Sequence, residues 1–225
     1  MKPTFHLLCC IVLIVLQVSC SQQNQSSQIS EREKVLAKMG DLDKWRSLQA
    51  LYIKALHEEQ RLDFPYYSEI KRNLNPTEVW IHQWTDEFDN VRYFNDSLGW
   101  SLRNGNKTEM DSSMLVYLKN WDRHLFYRTI KNLATENYVA KAKNDSTFNI
   151  WDGSYFIATI ILNKNGLPYK YFTPTVSGDT SLTVYAKWSE TDGLVHPDVS
   201  MAPDSSFVFA AEIWTHYFKS LKLIQ

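Results

Sequence analysis

Chemistry in this chain would have to come from a small set of side chains. His82, His124, His196 and His216 are candidate general bases, but no two stand at the HExxH spacing that turns both imidazoles toward one zinc ion. Each therefore reads as a packed or surface histidine. Asp86, Glu87 and Asp89 in WTDEFDN offer oxygen ligands for calcium, yet the run lacks the glycine and distal glutamate of an EF-hand loop and reads as a solvated turn. His57, Glu58 and Glu59 are strand neighbours whose side chains alternate between faces, so they do not converge on a metal. There is no G-x-S-x-G elbow and no phosphate-cradling glycine loop. A carboxylate pair brought together from distant strands stays open, since no particular pair is nominated. The expectation is a chain without cofactor, metal or catalytic residue.

One side chain does suggest a specific reaction, namely lipidation. Leu7 to Leu16 are unbroken apolar residues after the lone charge of Lys2, a signal-peptide layout about half the length a membrane span needs. The following Leu16, Gln17, Val18, Ser19 and Cys20 resemble the lipobox of bacterial lipoproteins, in which cleavage precedes a cysteine that takes a thioether-linked lipid. The alternative is plain secretion. Cys9 and Cys10 leave with the signal, so a lipidated body keeps no free thiol and no disulfide. Residues 21–30, SQQNQSSQIS, are too polar to fold and read as a tether. The domain reading is a signal at 1–19, a lipidated cysteine and tether at 20–30, and one folded domain at 31–225.

The bulk composition removes other classes. With 24 basic and 25 acidic residues there is no electrostatic footprint for nucleic acid and no polybasic membrane patch. Eight tryptophans and twelve tyrosines either fill a β-rich core or line an apolar or sugar-binding concavity, and composition does not choose between them.

The elements that must position these residues follow from periodicity. Ser30 and Glu33 form a capping box for a helix over Glu31 to Met39, closed by Gly40, and Asp41 caps a second turn holding Leu42, Trp45 and Leu48. Strands are expected at Leu51 to Leu56, Glu69 to Leu74, Thr77 to Trp84, Val91 to Asn95 and Gly99 to Arg103, the last closed by Asn104-Gly105. Helical spacing then runs from Met114 to Leu133, with Met114, Leu118, Trp121, Leu125 and Ile130 on one face and Thr108 and Asp111 as start signals. From Tyr138 onward the pattern is β, punctuated by Asp152-Gly153, Asn165-Gly166, Ser177-Gly178 and Asp192-Gly193. Strands are bounded there at Tyr155 to Leu162, Leu167 to Thr173, Ser181 to Ser189 and Ser206 to Tyr217. The fold expected is α+β: an antiparallel, strongly curved half-β-barrel of about ten strands covered by helices.

Three segments, VLAKMGDLDKWRSLQALYIKA, GWSLRNG and KWSETDGLVHPDVS, in this order resemble the superfamily of outer-membrane lipoprotein-sorting proteins, the periplasmic carriers and their lipid-anchored receptors. The resemblance implies an incomplete barrel enclosing an apolar cavity for acyl chains, in a protein without catalytic activity. With the lipobox, it implies attachment to the bacterial envelope, at the outer membrane facing the periplasm. The partners expected are the membrane through the anchor and a hydrophobic small molecule or acyl chain, with no nucleic acid. Several strands carry large apolar groups on both faces, which nominates Trp80, Trp84, Phe94, Trp100, Ile157, Val184 and Trp188 as cavity walls. Leu118, Trp121 and Leu125 join them from the helix. Two competing readings stay open: a carbohydrate-binding or hydrolytic envelope lipoprotein, and a structural one whose cavity is filled by its own helix.

Overall fold

The computed structural model describes residues 29–215. Cys20, the signal segment, residues 21–28 of the tether, and His216 and Tyr217 at the expected end of the last strand lie outside the described residues. Thirteen strands of the described residues form one antiparallel sheet, more than the ten or so expected. They are β1 (Ala50–Glu59), β2 (Tyr66–Leu74), β3 (Thr77–Trp84), β4 (Asp89–Asn95), β5 (Gly99–Arg103), β6 (Asn106–Glu109), β7 (Val139–Asn144), β8 (Thr147–Asp152), β9 (Tyr155–Leu162), β10 (Pro168–Pro174), β11 (Thr180–Thr191), β12 (Leu194–Met201) and β13 (Phe207–Trp214). Beyond the strands bounded from sequence stand β6, β7, β8 and β12, of which β6 is Asn-Lys-Thr-Glu, wholly exposed, with no alternation to detect.

The strand order is 6-5-4-3-2-1-13-12-11-10-9-8-7. Two meanders run outward from a central seam where β1 pairs with β13, and the sheet ends at β6 and β7 without closing. Hairpin chemistry sets several turns. Asn104 and Gly105, both at positive φ, join β5 to β6 as a two-residue turn of the primed kind matches strand twist.

Among the described residues four helices accompany the sheet: α1 (Glu31–Leu36), α2 (Leu42–Ser47), α3 (Ser112–Arg123) and α4 (Phe126–Ala134). The first stops short of the expected Met39, because the Met39 carbonyl accepts from Val195 N at 3.1 Å and from Trp45 Nε1 at 2.5 Å. Gly40 then bridges to Leu194 on β12. Asp41 caps α2 as expected, accepting from Asp43 N at 2.8 Å.

The single helix expected over Met114 to Leu133 is two helices that meet at His124 and Leu125. Leu125 is extended, and the break is held from outside: His124 Nδ1 donates to Ile157 O at 2.7 Å, and Tyr171 Oη donates to His124 O at 2.9 Å. With its second ring nitrogen facing Tyr155 Oη at 3.4 Å, His124 is the neutral Nδ1–H tautomer, and burial lowers its pKa. The break separates two environments. Phe126, Ile130 and Leu133 of α4 are buried, whereas Met114, Tyr117 and Trp121 of α3 are exposed and only Leu118 and Asp122 are sunk.

Register shows how the core is built. Ile213, Ile53, Ile70 and Ile81 pair in succession across β13, β1, β2 and β3, and all four are buried with α4, Trp45 and Met39 in one cluster. Each such side chain stabilises the fold by about 1.5–3 kcal/mol. On the opposite face of the sheet, across β3 to β5, a second cluster joins Trp80 and Tyr93 with Val91 and Trp100. Its rings lean on one another: Tyr67 on Trp84 at 5.9 Å, Trp84 on His82 at 4.6 Å, Tyr93 on Trp100 at 5.7 Å. Lys71 and Lys107 lie over the Trp80 and Trp100 rings.

Candidate functional site: an aromatic cavity beneath the helical corner

A cavity of about 440 Å³ lies where the α3–α4 corner meets β10 to β13. This is within the range of small-molecule pockets, roughly 300–1,000 Å³. Tyr117, Trp121 and Leu125 form its helical wall, with Tyr171, Tyr185 and Phe209 from the sheet. Phe126 anchors the base: the rings of Tyr127, Tyr171, Tyr185 and Trp188 all meet it steeply, at 4.9 to 6.0 Å. Such edge-to-face packing holds a preformed apolar surface.

Some polar groups in this wall are tied up internally. Tyr171 Oη, which donates to His124 O, also meets Thr129 Oγ1 at 2.7 Å. Burial raises the pKa of Tyr171 and Tyr185, so both phenols stay neutral. A larger cleft of about 570 Å³ lies between α2 and the Asp192-Gly193 turn, but Lys44, Ser47, Gln49 and Asp192 give it a hydrophilic wall without an aromatic ring. The aromatic cavity is the better fit to an apolar ligand.

Of the ten wall residues nominated from sequence, the structure brings Trp121 and Leu125 into this cavity. Trp188 stands behind the wall, 5.8 Å from Phe126 and 5.7 Å from Tyr185. Leu118, Phe94 and Ile157 are core residues on the helix-bearing side, none more than 4% exposed. Trp80, Trp84 and Trp100 lie on the opposite face of the sheet, with Trp80 directly across from Tyr93 and Trp84 from Asp89. Val184 also points away, since it pairs with Lys170 while its neighbours Thr183 and Tyr185 face the cavity. Both faces are apolar here, so the two-residue period could not say which one the cavity uses. Missed from the sequence were Phe126, Tyr171, Tyr185, Phe207 and Phe209. For the last two, the alternation FVF was the available signal.

The titratable groups do not assemble a reaction centre around this cavity. Among the described residues, no three of His, Cys, Asp and Glu gather where a metal ion could sit. The acidic run is a turn organised by Thr85, whose hydroxyl accepts from Glu87 N and Phe88 N, and His82 Nε2 lies 2.9 Å from Asp89 Oδ1. His57 Nε2 does lie 2.7 Å from Ser68 Oγ, a base beside a hydroxyl. Both are buried, burial and the Arg92 charge push the imidazole down to about 4, and its Nδ1 has no orienting partner. Burial thus favours the neutral imidazole in this pair.

No family model and no curated protein matches this chain. Solved structures do. An outer membrane lipoprotein-sorting protein domain from Vibrio parahaemolyticus is 7% identical with a TM-score of 0.42, covering 84% of this chain and 93% of that one. A DUF1329 family protein from Desulfovibrio piger is 9% identical at a TM-score of 0.43, covering 86% and 93%. LprF from Mycobacterium bovis is 7% identical at 0.33, covering 84% and 95%. Lipoprotein-sorting domains, the class named by the sequence resemblance, thus stand among the structures this chain is similar to.

Proposed function

We propose that this chain is a lipid-anchored protein of the bacterial envelope that holds a hydrophobic ligand, an acyl chain or similar tail, without transforming it. The 440 Å³ aromatic cavity is the observation that carries this reading. Its aromatic and aliphatic lining, Trp121, Leu125, Phe126, Tyr171, Phe207 and Phe209 among it, offers an apolar ligand extensive contact. Trp121 and Leu125 are the proposed contacts from the helical corner. The anchor is Cys20, after a signal at 1–19 and ahead of a tether to residue 30, and the site of attachment is the outer membrane facing the periplasm.

The carbohydrate reading would use the exposed aromatics of the opposite face. Trp80 and Tyr93 there are buried, and Tyr67, Trp84 and Trp100 each give a face to a neighbouring ring or lysine, which leaves less ring face for a sugar to stack on.

Native mass spectrometry of the chain purified without detergent, followed by organic extraction, tests the ligand. A stoichiometric lipid or fatty acid is expected; an unliganded mass with no uptake of added lipid overturns the proposal. Metabolic labelling with palmitate tests the anchor: label should enter the wild-type chain and be absent from Cys20→Ser.

A further inference from the structure

The wall of the aromatic cavity changes character with depth. β10 and β11 pair Tyr171 with Thr183 and Thr173 with Ser181, so each strand presents a row of alternate residues to the cavity. One row is Tyr171, Thr173 and Thr175; the other is Tyr185, Thr183 and Ser181. Both phenols are buried, Thr173 and Thr183 are half-buried, and Ser181 is exposed. From base to rim the lining therefore turns from aromatic to hydroxyl. Thr175 Oγ1 is engaged within the β10–β11 turn, donating to Asp179 O at 3.1 Å. The hydroxyls of Thr173, Thr183 and Ser181 have no hydrogen-bond partner among the described residues. Across the opening, Asn120 of α3 reaches the same wall, where its Nδ2 donates to Pro174 O at 3.5 Å.

Charge has no place in this gradient. None of the described lining residues is Asp, Glu, Lys or Arg. The ionic groups of α3, which forms the other wall, are turned to partners of their own. Asp122 binds Arg72 and Arg128, Arg123 meets Asp152 at 3.3 Å, and Lys119 donates to Asp96 O. His124 does line the cavity, and burial favours its neutral form. A carboxylate or phosphate drawn into such a wall would shed water without meeting a counter-charge. A hydroxyl or ester loses less water and regains hydrogen bonds from side-chain hydroxyls, which both donate and accept.

We propose that the cavity takes an uncharged single-chain amphiphile, its tail on the rings of Phe126, Tyr171 and Tyr185 and its hydroxyl- or ester-bearing head among Thr173, Thr183 and Ser181. The assignment rests on the cavity reading above and adds the class of head group, an acyl ester of a small polyol in preference to a fatty-acid anion. Directly paired strand residues stand about 5 Å apart, so one polyol head can meet two of these hydroxyls at once.

The test follows displacement of the neutral apolar fluorophore N-phenylnaphthylamine from the full chain at pH 8, where dodecanoate is ionised. The competitors are glycerol monododecanoate and dodecanoate, each below its micellar concentration. The glycerol ester is expected to displace the fluorophore at about tenfold lower concentration, the scale of one or two neutral hydrogen bonds. Thr173→Val combined with Thr183→Val removes two hydroxyls and keeps the branched shape that suits a strand. It should weaken the ester about five- to tenfold, leave the fluorophore's own affinity unchanged and close most of the gap to dodecanoate. Dodecanoate competing as well as the ester in wild type, or an ester affinity untouched in the double variant, overturns the head-group assignment alone. Failure of the fluorophore and both amphiphiles to bind sinks the cavity reading with it. If the double variant does not fold, the wild-type comparison and Ser181→Ala at the exposed rim decide.

Discussion

Arg72 on β2 and Asp122 at the end of α3, fifty positions apart, form a buried ion pair that fastens the helical corner to the sheet. The other Asp122 oxygen accepts from Arg128 Nη2 at 2.5 Å, and Arg128 also donates to Leu74 O at 2.6 Å. Trp121 covers the Arg72 guanidinium, 4.6 Å from its ring centre. Removing the carboxylate leaves two cations facing each other in a dry site. Asp122→Ala should lower stability by about 3–5 kcal/mol in urea unfolding. A loss below about 1 kcal/mol would show that the pair does not hold the corner.

Gly40 makes a different kind of fastening. It sits at φ +82°, and a Cβ there would lie 2.2 Å from the Gly193 carbonyl oxygen, a backbone atom with no freedom to retreat. Gly40→Ala should destabilise by more than the conformational strain of about 1–2 kcal/mol alone. Gly105, also at φ +82° but with open space around it, separates the two contributions: Gly105→Ala should show the strain only. Equal losses in thermal unfolding would discount the clash.

His57 gives stability a pH dependence of known sign. Its folded pKa of about 4 lies below the ordinary histidine value near 6.5, so between those values the unfolded chain binds more protons than the folded one. The contribution is complete above pH 7, is lost as pH falls through 6.5, and levels off below 4, for a total of about 3 kcal/mol. Burial lowers His124 and His196 in the same direction, so the comparison must be between variants. His57→Gln should lose less stability than wild type between pH 8 and pH 5; parallel urea curves would contradict the shift.

Trp121 and Trp84 allow the two faces to be told apart. Trp121→Ala should weaken binding of an apolar fluorescent probe about three- to tenfold, since part of a large ring leaves the cavity wall. Trp84→Ala, on the opposite face, should leave it unchanged. The reverse pattern would move the ligand site across the sheet.

Much of the β framework was legible because turn chemistry is local. Asn104-Gly105 and Asp192-Gly193 mark hairpins by themselves, and Asp41 and Asp111 cap the helices they precede. The break at His124 was not legible. The apolar period continues through it, and the groups that hold it open, Ile157 O and Tyr171 Oη, lie 33 and 47 residues away. The cavity suffered from the same distance. Trp80 and Trp100 look like wall residues because they are large and alternate with apolar neighbours, yet only the pairing of β3 with β4 and the position of α4 decide which side is lined.

The seam between β1 and β13 sets the order of assembly. Tyr52 meets Trp214 and Glu59 meets Phe207, so the sheet joins its first strand to its last near its middle. As the chain emerges, six strands can zip up from β1 to β6, but the inner border of that wing stays raw until β13 has been made. A chain stalled or clipped before Phe207 would present β1 as an open strand edge, with Leu51, Ile53 and Ala55 behind it. Quality control of this protein therefore falls on its final hairpin, which also supplies Phe207 and Phe209 to the cavity.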